Sequence, residues 1–223
     1  MTGCFITLEG PEGAGKSTNR EYLAQRLREQ GLDVVLTREP GGTPLAERIR
    51  DLLLNRGEET VTPLTELLLY EAARAQHVHS VVLPALARDK VVLCDRYADS
   101  TSAYQGAGRR LAGDFITLLN RLAAGAAWPN RTFILDMPAE EGLRRARERG
   151  SDDRMMAEGL AFHKRIREEF LALARREPDR ITVIDATGSV AEIQNGLRSH
   201  VDRLPEIAKA GKSGARRKDP AAP

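Results

Sequence analysis

Residues Gly10-Pro11-Glu12-Gly13-Ala14-Gly15-Lys16-Ser17 fit the spacing G-x-x-x-x-G-K-[S/T] of a phosphate-binding loop. The glycines let successive backbone N–H groups turn inward around a phosphate chain, and a helix start behind them adds its positive dipole end. Lys16 is placed to reach β/γ-phosphates, the Ser17 hydroxyl to ligate Mg²⁺, and Thr18 follows at the helix start. The chemistry this predicts is binding of a nucleoside triphosphate with Mg²⁺. The bland alternative is a Gly-rich turn that binds nothing. The apolar run Cys4–Leu8 before it and the Leu23/Leu27 helical spacing after it argue against that.

Other constellations stand where the same chemistry would use them. Arg38-Glu39-Pro40-Gly41-Gly42-Thr43 closes a second apolar run, and a charged pair at the carboxyl end of a strand is where open α/β sheets bind ligands. Tyr70 and Arg74 are one helical turn apart. Val91-Val92-Leu93-Cys94-Asp95 ends in the acid expected near Mg²⁺, directly or through water. It runs into Arg96-Tyr97 and then Ser100, Thr101, Tyr104 and Gln105, which are groups that bind phosphates and bases. Arg144, Arg145, Arg147, Arg149 and Arg154 surround a Gly150-Ser151-Asp152-Asp153 hinge. A basic lid over phosphates would have this form, about residues 144–156. The plain alternative is a solvated helix with pairs such as Arg144 and Glu148.

The elements that must position these groups alternate. Strands are predicted at about 4–8, 33–37, 90–95, 131–136 and 181–185. Helices are predicted at about 18–30, 44–55, 64–88 (interrupted near Pro84), 114–124, 139–149, 155–175 and 189–203. Phe115, Leu118, Leu119 and Leu122 form one apolar stripe. Five strands alternating with helices imply an α/β fold: a three-layer P-loop arrangement, a five-stranded parallel sheet with helices on both faces. The 223 residues suffice for one such domain, about 1–204, and residues 205–223 read as a basic disordered tail.

Composition bounds the rest. The formal net charge of +2 does not call for nucleic acid as a partner. No apolar run approaches the ~20 residues of a membrane span, and no signal-type segment opens the chain, so a cytoplasmic location is expected. Cys4 and Cys94 are predicted as buried thiols about four residues out of step, roughly 13 Å apart and too far for a disulfide. The four histidines lack metal-ligand spacing.

Taken together, Leu8-Glu9-Gly10 through Thr18, Thr37-Arg38-Glu39-Pro40-Gly41-Gly42-Thr43, Tyr70…Arg74-Ala75-Gln76 and Asp95-Arg96-Tyr97…Tyr104-Gln105-Gly106 resemble the bacterial thymidylate kinases over about residues 3–203. The resemblance implies transfer of the γ-phosphate of ATP to dTMP with Mg²⁺, giving dTDP, by a cytosolic homodimer. It implies Glu12 near the deoxyribose 3′-hydroxyl, Arg38 and Glu39 lining the acceptor site, and Arg50 and Arg96 on the dTMP phosphate. Tyr70 would stack on thymine, and Arg74 would reach the base carbonyl. Ser100, Thr101 and Gln105 would meet the base edge or phosphate, and Tyr104 would crowd the ribose 2′ position. Gly13 stands where some members carry an Arg, so the catalytic cation is expected from the lid, chiefly Arg154, with Arg149 as runner-up. Two departures are visible: Met155-Met156 where an Ile-Glu pair is frequent, with the next acid at Glu158, and Asn19 where Gln is frequent. A P-loop switch ATPase and a kinase for another nucleotide or small metabolite are the competing readings. The first would need a water-orienting residue, and it would have no use for Arg50, Tyr70, Arg74 and Tyr104 as an acceptor pocket.

Overall fold

The computed structural model describes residues 3–55, 59–150, 153–205 and 207. Five strands, β1 (Cys4–Glu9), β2 (Val34–Arg38), β3 (Val91–Asp95), β4 (Arg131–Asp136) and β5 (Ile181–Asp185), form one parallel sheet in the order β2-β3-β1-β4-β5. Every residue of β1 is buried, as a central parallel strand covered on both faces requires. The strand directions make β1 the centre from which the chain winds to either side, and ligands of such sheets lie beyond the carboxyl ends at that point. Pairing of Leu8 with Asp95, and of Arg38 with Asp95, brings the ends of β1, β3 and β2 level. Cys4 pairs with Val91 and Thr7 with Cys94, so the two buried cysteines are three residues out of step rather than four, and neither is in a disulfide.

The helices are α1 (Lys16–Glu29), α2 (Pro44–Leu54), α3 (Pro63–His77), α4 (Leu83–Leu86), α5 (Ala98–Thr101), α6 (Gly113–Ala124), α7 (Ala139–Glu148), α8 (Leu160–Arg176) and α9 (Val190–Val201). Thr43 and Thr62 cap α2 and α3 ahead of Pro44 and Pro63, and Ser189 with Glu192 forms a capping box on α9. Leu23 and Leu27 of α1 and Ile193, Leu197 and Val201 of α9 cover one face of the sheet. Val78, Val82 and Leu86, then Phe162, Ile166 and Phe170 of α8, lie in the two clusters on the other.

Several sequence expectations are corrected. The 64–88 pattern stays helical through a π segment, Val78–Val82, and Pro84 falls just after it, where its missing N–H disturbs least. Residues 98–108 are also helical, α5 running into a π segment Ser102–Gly108 that the polar, Gly-containing sequence gave no reason to expect. Met155 and Met156 lie in a turn rather than a helix, with Asp153 Oδ1 accepting the Met156 N–H, and both side chains are buried. The apolar stripe of α6 faces outward: Leu118 is 64% and Leu122 76% exposed, while Ile116, Asn120 and Ala124 face in. Leu52, whose spacing sets it on the apolar side of α2 with Ile49 and Leu53, is likewise exposed. Ile207 is buried in the first core cluster, so the packed chain extends past residue 204. The remainder of the expected tail, and Ser151-Asp152 of the expected hinge, lie outside the described residues.

Candidate active site

The loop between β1 and α1 opens a cleft of about 490 Å³ at the carboxyl ends of the strands. Gly15 takes φ 83° at the N-cap of α1 and offers no side-chain cap, and the first turn of α1 holds no acid. Its leading N–H groups therefore face the cleft with their dipole available to an anion. Lys16 is buried, and its ammonium donates to the carbonyls of Gly10 (3.1 Å) and Pro11 (2.7 Å).

Seventeen of the sequence-selected residues line the cleft: Glu12, Gly13, Gly15, Lys16, Ser17, Arg38, Glu39, Arg50, Tyr70, Arg74, Asp95, Arg96, Ser100, Thr101, Tyr104, Gln105 and Arg149. Gly10, Pro11, Ala14, Thr18 and Arg154 lie outside its wall. Arg96 is central. Its guanidinium donates to Glu12 Oε1 (2.7 Å), the Gly10 carbonyl (3.0 Å) and Ser100 Oγ (3.2 Å), and lies 4.9 Å over the Tyr104 ring. The Tyr104 hydroxyl donates to Glu12 Oε1 at 2.8 Å. Arg50 donates to the Pro40 carbonyl, and Arg38 pairs with Glu47 at 2.8 Å.

Arg74 is more committed than its expected role implies. It is 2% exposed and donates to Glu39, Glu71, Asn120 and Thr101. Of five guanidinium hydrogens, one on Nη2 remains for a ligand. His77 continues the network, bridging Glu39 Oε1 (2.9 Å) and Thr37 Oγ1 (2.6 Å). Arg74 thus ties α3 to the Glu39 loop and to α5, a job the i,i+4 spacing of Tyr70 and Arg74 did not signal.

The lid arginines divide. Arg144 pairs with Glu141 and Glu148 on the surface, as a solvated helix would, and Arg145 pairs with Glu141. Arg149 faces the cleft. Arg154 pairs with Glu66 at 2.7 Å and donates from Nε to the Leu53 carbonyl at 2.9 Å. Glu66 is fully buried and also takes Gln105 and Arg109, while Glu158 pairs with Arg109. In this arrangement Arg149, and not Arg154, lines the cleft.

The electrostatics suit an anionic ligand. Burial pushes Glu12 up, but the charges of Arg96 and Lys16 and the Tyr104 hydrogen bond outweigh it and hold the carboxyl at about 2. Burial and then Arg96 pull the Lys16 ammonium down to about 8, against Glu12, Asp95 and Glu9. Burial, then the neighbouring charge of Arg38, lowers Arg50 from the ordinary arginine value, with Arg96 adding to the repulsion. A cluster of cations that repel one another is relieved by a bound phosphate. The Ser17 hydroxyl donates to Asp95 Oδ2 at 2.6 Å. Two hard oxygen donors side by side fit a small divalent cation that takes its other ligands from phosphate and water. Among the described residues no group of three His, Cys, Asp or Glu side chains could hold a metal by itself.

Sequence reasoning missed Glu9 and Glu66 as organisers. The available signal for Glu9 was an acid closing an otherwise apolar, buried strand. Glu66 carried none, since an acid in the first turn of a helix is ordinary.

A family model described as "Thymidylate kinase" matches residues 8–197. The chain is 56% identical over 209 residues to thymidylate kinase of Pseudomonas fluorescens strain Pf-5, covering 94% of this chain and all of that protein. It is 56% identical over 197 residues to thymidylate kinase of Pseudomonas entomophila strain L48, covering 88% and 94% of the two chains. The crystal structure of thymidylate kinase from Ehrlichia chaffeensis superposes with a TM-score of 0.73 at 34% identity, over 90% of this chain and 98% of that one. With the P-loop cleft and its second basic wall, these matches show that the chain belongs to the thymidylate kinase family.

Proposed function

We propose that the chain transfers the γ-phosphoryl group of ATP to dTMP in a single in-line step, giving dTDP for dTTP synthesis. An oxygen of the acceptor phosphate attacks the γ-phosphorus, the bond to the β,γ-bridging oxygen breaks, and ADP leaves. A phosphate monoester has a second pKa near 6, so at neutral pH the acceptor is mostly a dianion and needs no general base. The protein's work is to bring two anions into line and neutralise the transferring charge.

The observation that carries this reading is a second set of cations, Arg38, Arg50 and Arg96, lining the same cleft as the phosphate loop. Lys16 and the leading amides of α1 hold the donor phosphates, with Gly10–Thr18 as the ATP loop. Arg50 and Arg96 hold the acceptor phosphate, beside Arg38, Glu39, Ser100 and Thr101. Tyr70 stacks on the base, with Arg74 and Gln105 at its edge. Tyr104, fixed on Glu12, bars a 2′-hydroxyl, and Glu12 receives the 3′-hydroxyl. Ser17 and Asp95 would hold Mg²⁺, which would supply positive charge at the transferring phosphates. ADP release measured with a panel of nucleoside monophosphates tests the reading. dTMP should stimulate release far above ATP alone, whereas release without any acceptor would favour a switch ATPase.

The outward apolar residues of α6, Phe115, Leu118 and Leu122, and of α3, Leu64 and Leu68, support a homodimer through neighbouring helices. Sedimentation of Leu118→Asp/Leu122→Asp should give a monomer where the unaltered chain gives a dimer. A cytoplasmic enzyme is the reading that the two buried, reduced cysteines support.

A further inference from the structure

Arg96 has an unusual backbone for its type. It takes φ 67°, a left-handed conformation that a side chain bearing Cβ rarely adopts. Its own N–H donates to the Leu8 carbonyl at 3.0 Å, which fixes the turn on one side. On the other side the fastening comes from Glu9. One oxygen of this wholly buried carboxyl accepts the Tyr97 N–H at 2.7 Å, and the other accepts the Ser100 hydroxyl at 2.5 Å. Ser100 Oγ in turn accepts from the Arg96 guanidinium. Glu9 therefore touches both the backbone that follows Arg96 and the hydroxyl that steadies its head group, without lining the cleft itself.

We propose that Glu9 is a positioning residue for the acceptor phosphate: by holding Tyr97 N–H and Ser100 Oγ together it keeps the left-handed turn at Arg96 closed and the Arg96 guanidinium aimed into the cleft. This rests on the reading of Arg96 as an acceptor-phosphate ligand. Burial, together with the charge of Asp99, pushes the Glu9 carboxyl up to about 8, against the hydrogen bonds and charge that Ser100, Arg96 and Tyr97 supply. The neutral acid keeps both contacts: its carbonyl oxygen accepts from the Tyr97 N–H, and its hydroxyl donates to Ser100 Oγ, reversing the bond that the carboxylate accepts. A glutamine has the same shape and the same pair of groups, an acceptor and a donor, so it should replace Glu9 in this job. Alanine should not.

The test is calorimetric binding of dTMP, with kcat and both KM values, for Glu9→Ala, Glu9→Gln, Arg96→Ala and the double variant Glu9→Ala/Arg96→Ala. Loss of a hydrogen bond to a charged group is worth roughly tenfold or more. Glu9→Ala should weaken dTMP by that factor, leave KM for ATP within about twofold, and add little in the double variant, because both changes remove the same grip. Glu9→Gln should stay within about threefold of the unaltered protein. If Glu9→Ala does not fold, Glu9→Asp, one methylene shorter and drawn back from both donors, takes its place. The proposal is overturned if Glu9→Ala (or its substitute) binds dTMP normally, if its defect multiplies fully with that of Arg96→Ala, or if Glu9→Gln is as defective as Glu9→Ala. Unchanged dTMP affinity in Arg96→Ala overturns the reading of Arg96 and this one with it. A normal Glu9→Ala beside a defective Arg96→Ala overturns the role of Glu9 alone.

Discussion

Gly13 of the phosphate loop and Gly142 of α7 meet backbone to backbone. A Cβ built on Gly13 would overlap the Gly142 carbonyl, and a Cβ built on Gly142 would overlap the Glu12 carbonyl. Gly13 also takes φ 72°, so a side chain there is strained as well as crowded. The contact leaves no room for an arginine side chain at position 13, and it anchors α7 directly on the phosphate loop.

The first prediction follows from that contact. In an ordinary helix interior Gly→Ala gains roughly 1 kcal/mol. At Gly142 the methyl meets a main-chain carbonyl that cannot rotate away, and overpacking of this kind costs about 1–3 kcal/mol. Gly142→Ala should therefore lower the melting temperature and raise KM for ATP more than KM for dTMP. A higher melting temperature with unchanged kinetics would sink the contact's importance.

Much of this was legible in the sequence, and for definite reasons. Buried parallel strands read as apolar runs bounded by Gly, Pro and charged residues, so all five were found within a residue or so. The phosphate loop and the Arg38-Glu39 and Asp95-Arg96 pairs are local patterns at strand ends, and the parallel register brings them together without further information. What was not legible depends on partners distant in sequence. The α6 stripe reads the same whether the helix turns it toward the core or away from it. Arg154 is drawn aside by Glu66, 88 positions earlier, and Glu9 acts on residues about 90 positions later. Periodicity carries no trace of such pairs.

The pH dependence of stability should carry two opposite signatures. Glu12 is held near 2 in the folded chain, below its ordinary 4.5, so its contribution is present above pH 4.5 and fades as pH falls toward 2. Glu9 is displaced upward, from 4.5 to about 8, with Asp99, Arg96, Ser100 and Tyr97 facing it. Between those values the folded chain holds a proton the unfolded chain has lost, so stability declines as pH rises through this window. Urea unfolding of Glu9→Gln should show the variant gaining on the unaltered protein from pH 5 to pH 8. A difference that stays constant across that range would mean Glu9 is ionised throughout.

Tyr104 should set the sugar preference. Its ring is packed between Arg96 and the aromatic rings of Phe162 and Phe170, and its hydroxyl is fixed on Glu12. Tyr104→Phe keeps the ring and loses one hydrogen bond, so deoxy over ribo selectivity should persist with a modest loss in kcat/KM. Tyr104→Ala opens the space and should raise activity on ribo-UMP relative to dTMP. Competition assays with the two nucleotides measure the ratio, and an unchanged ratio in Tyr104→Ala would place Tyr104 in the core rather than at the ribose.

The lid arginines give the sharpest contrast. Arg149 lines the same cleft as the phosphate loop, whereas Arg154 is paired with buried Glu66 and donates to the Leu53 carbonyl. A cation delivered to a transferring phosphoryl group is worth up to about 10³–10⁵ in turnover. Arg149→Ala should therefore lower kcat by two orders of magnitude or more, with little change in melting temperature or in KM for dTMP. Arg149→Lys should recover only part, because a point charge does not reproduce the planar fork. Arg154→Ala removes a charged hydrogen bond from Glu66, worth roughly 1.5–3 kcal/mol. It should act mainly on stability, partly offset by Arg109, which still reaches the same carboxylate. Glu66→Gln then separates the cases: if Arg154 is structural, it should destabilise the chain much as Arg154→Ala does. The opposite pattern, a dead but fully stable Arg154→Ala and an active Arg149→Ala, would mean that ATP binding pulls Arg154 off Glu66 and into the cleft. In that case Glu66→Gln, which weakens the competing hold, should raise turnover rather than lower it.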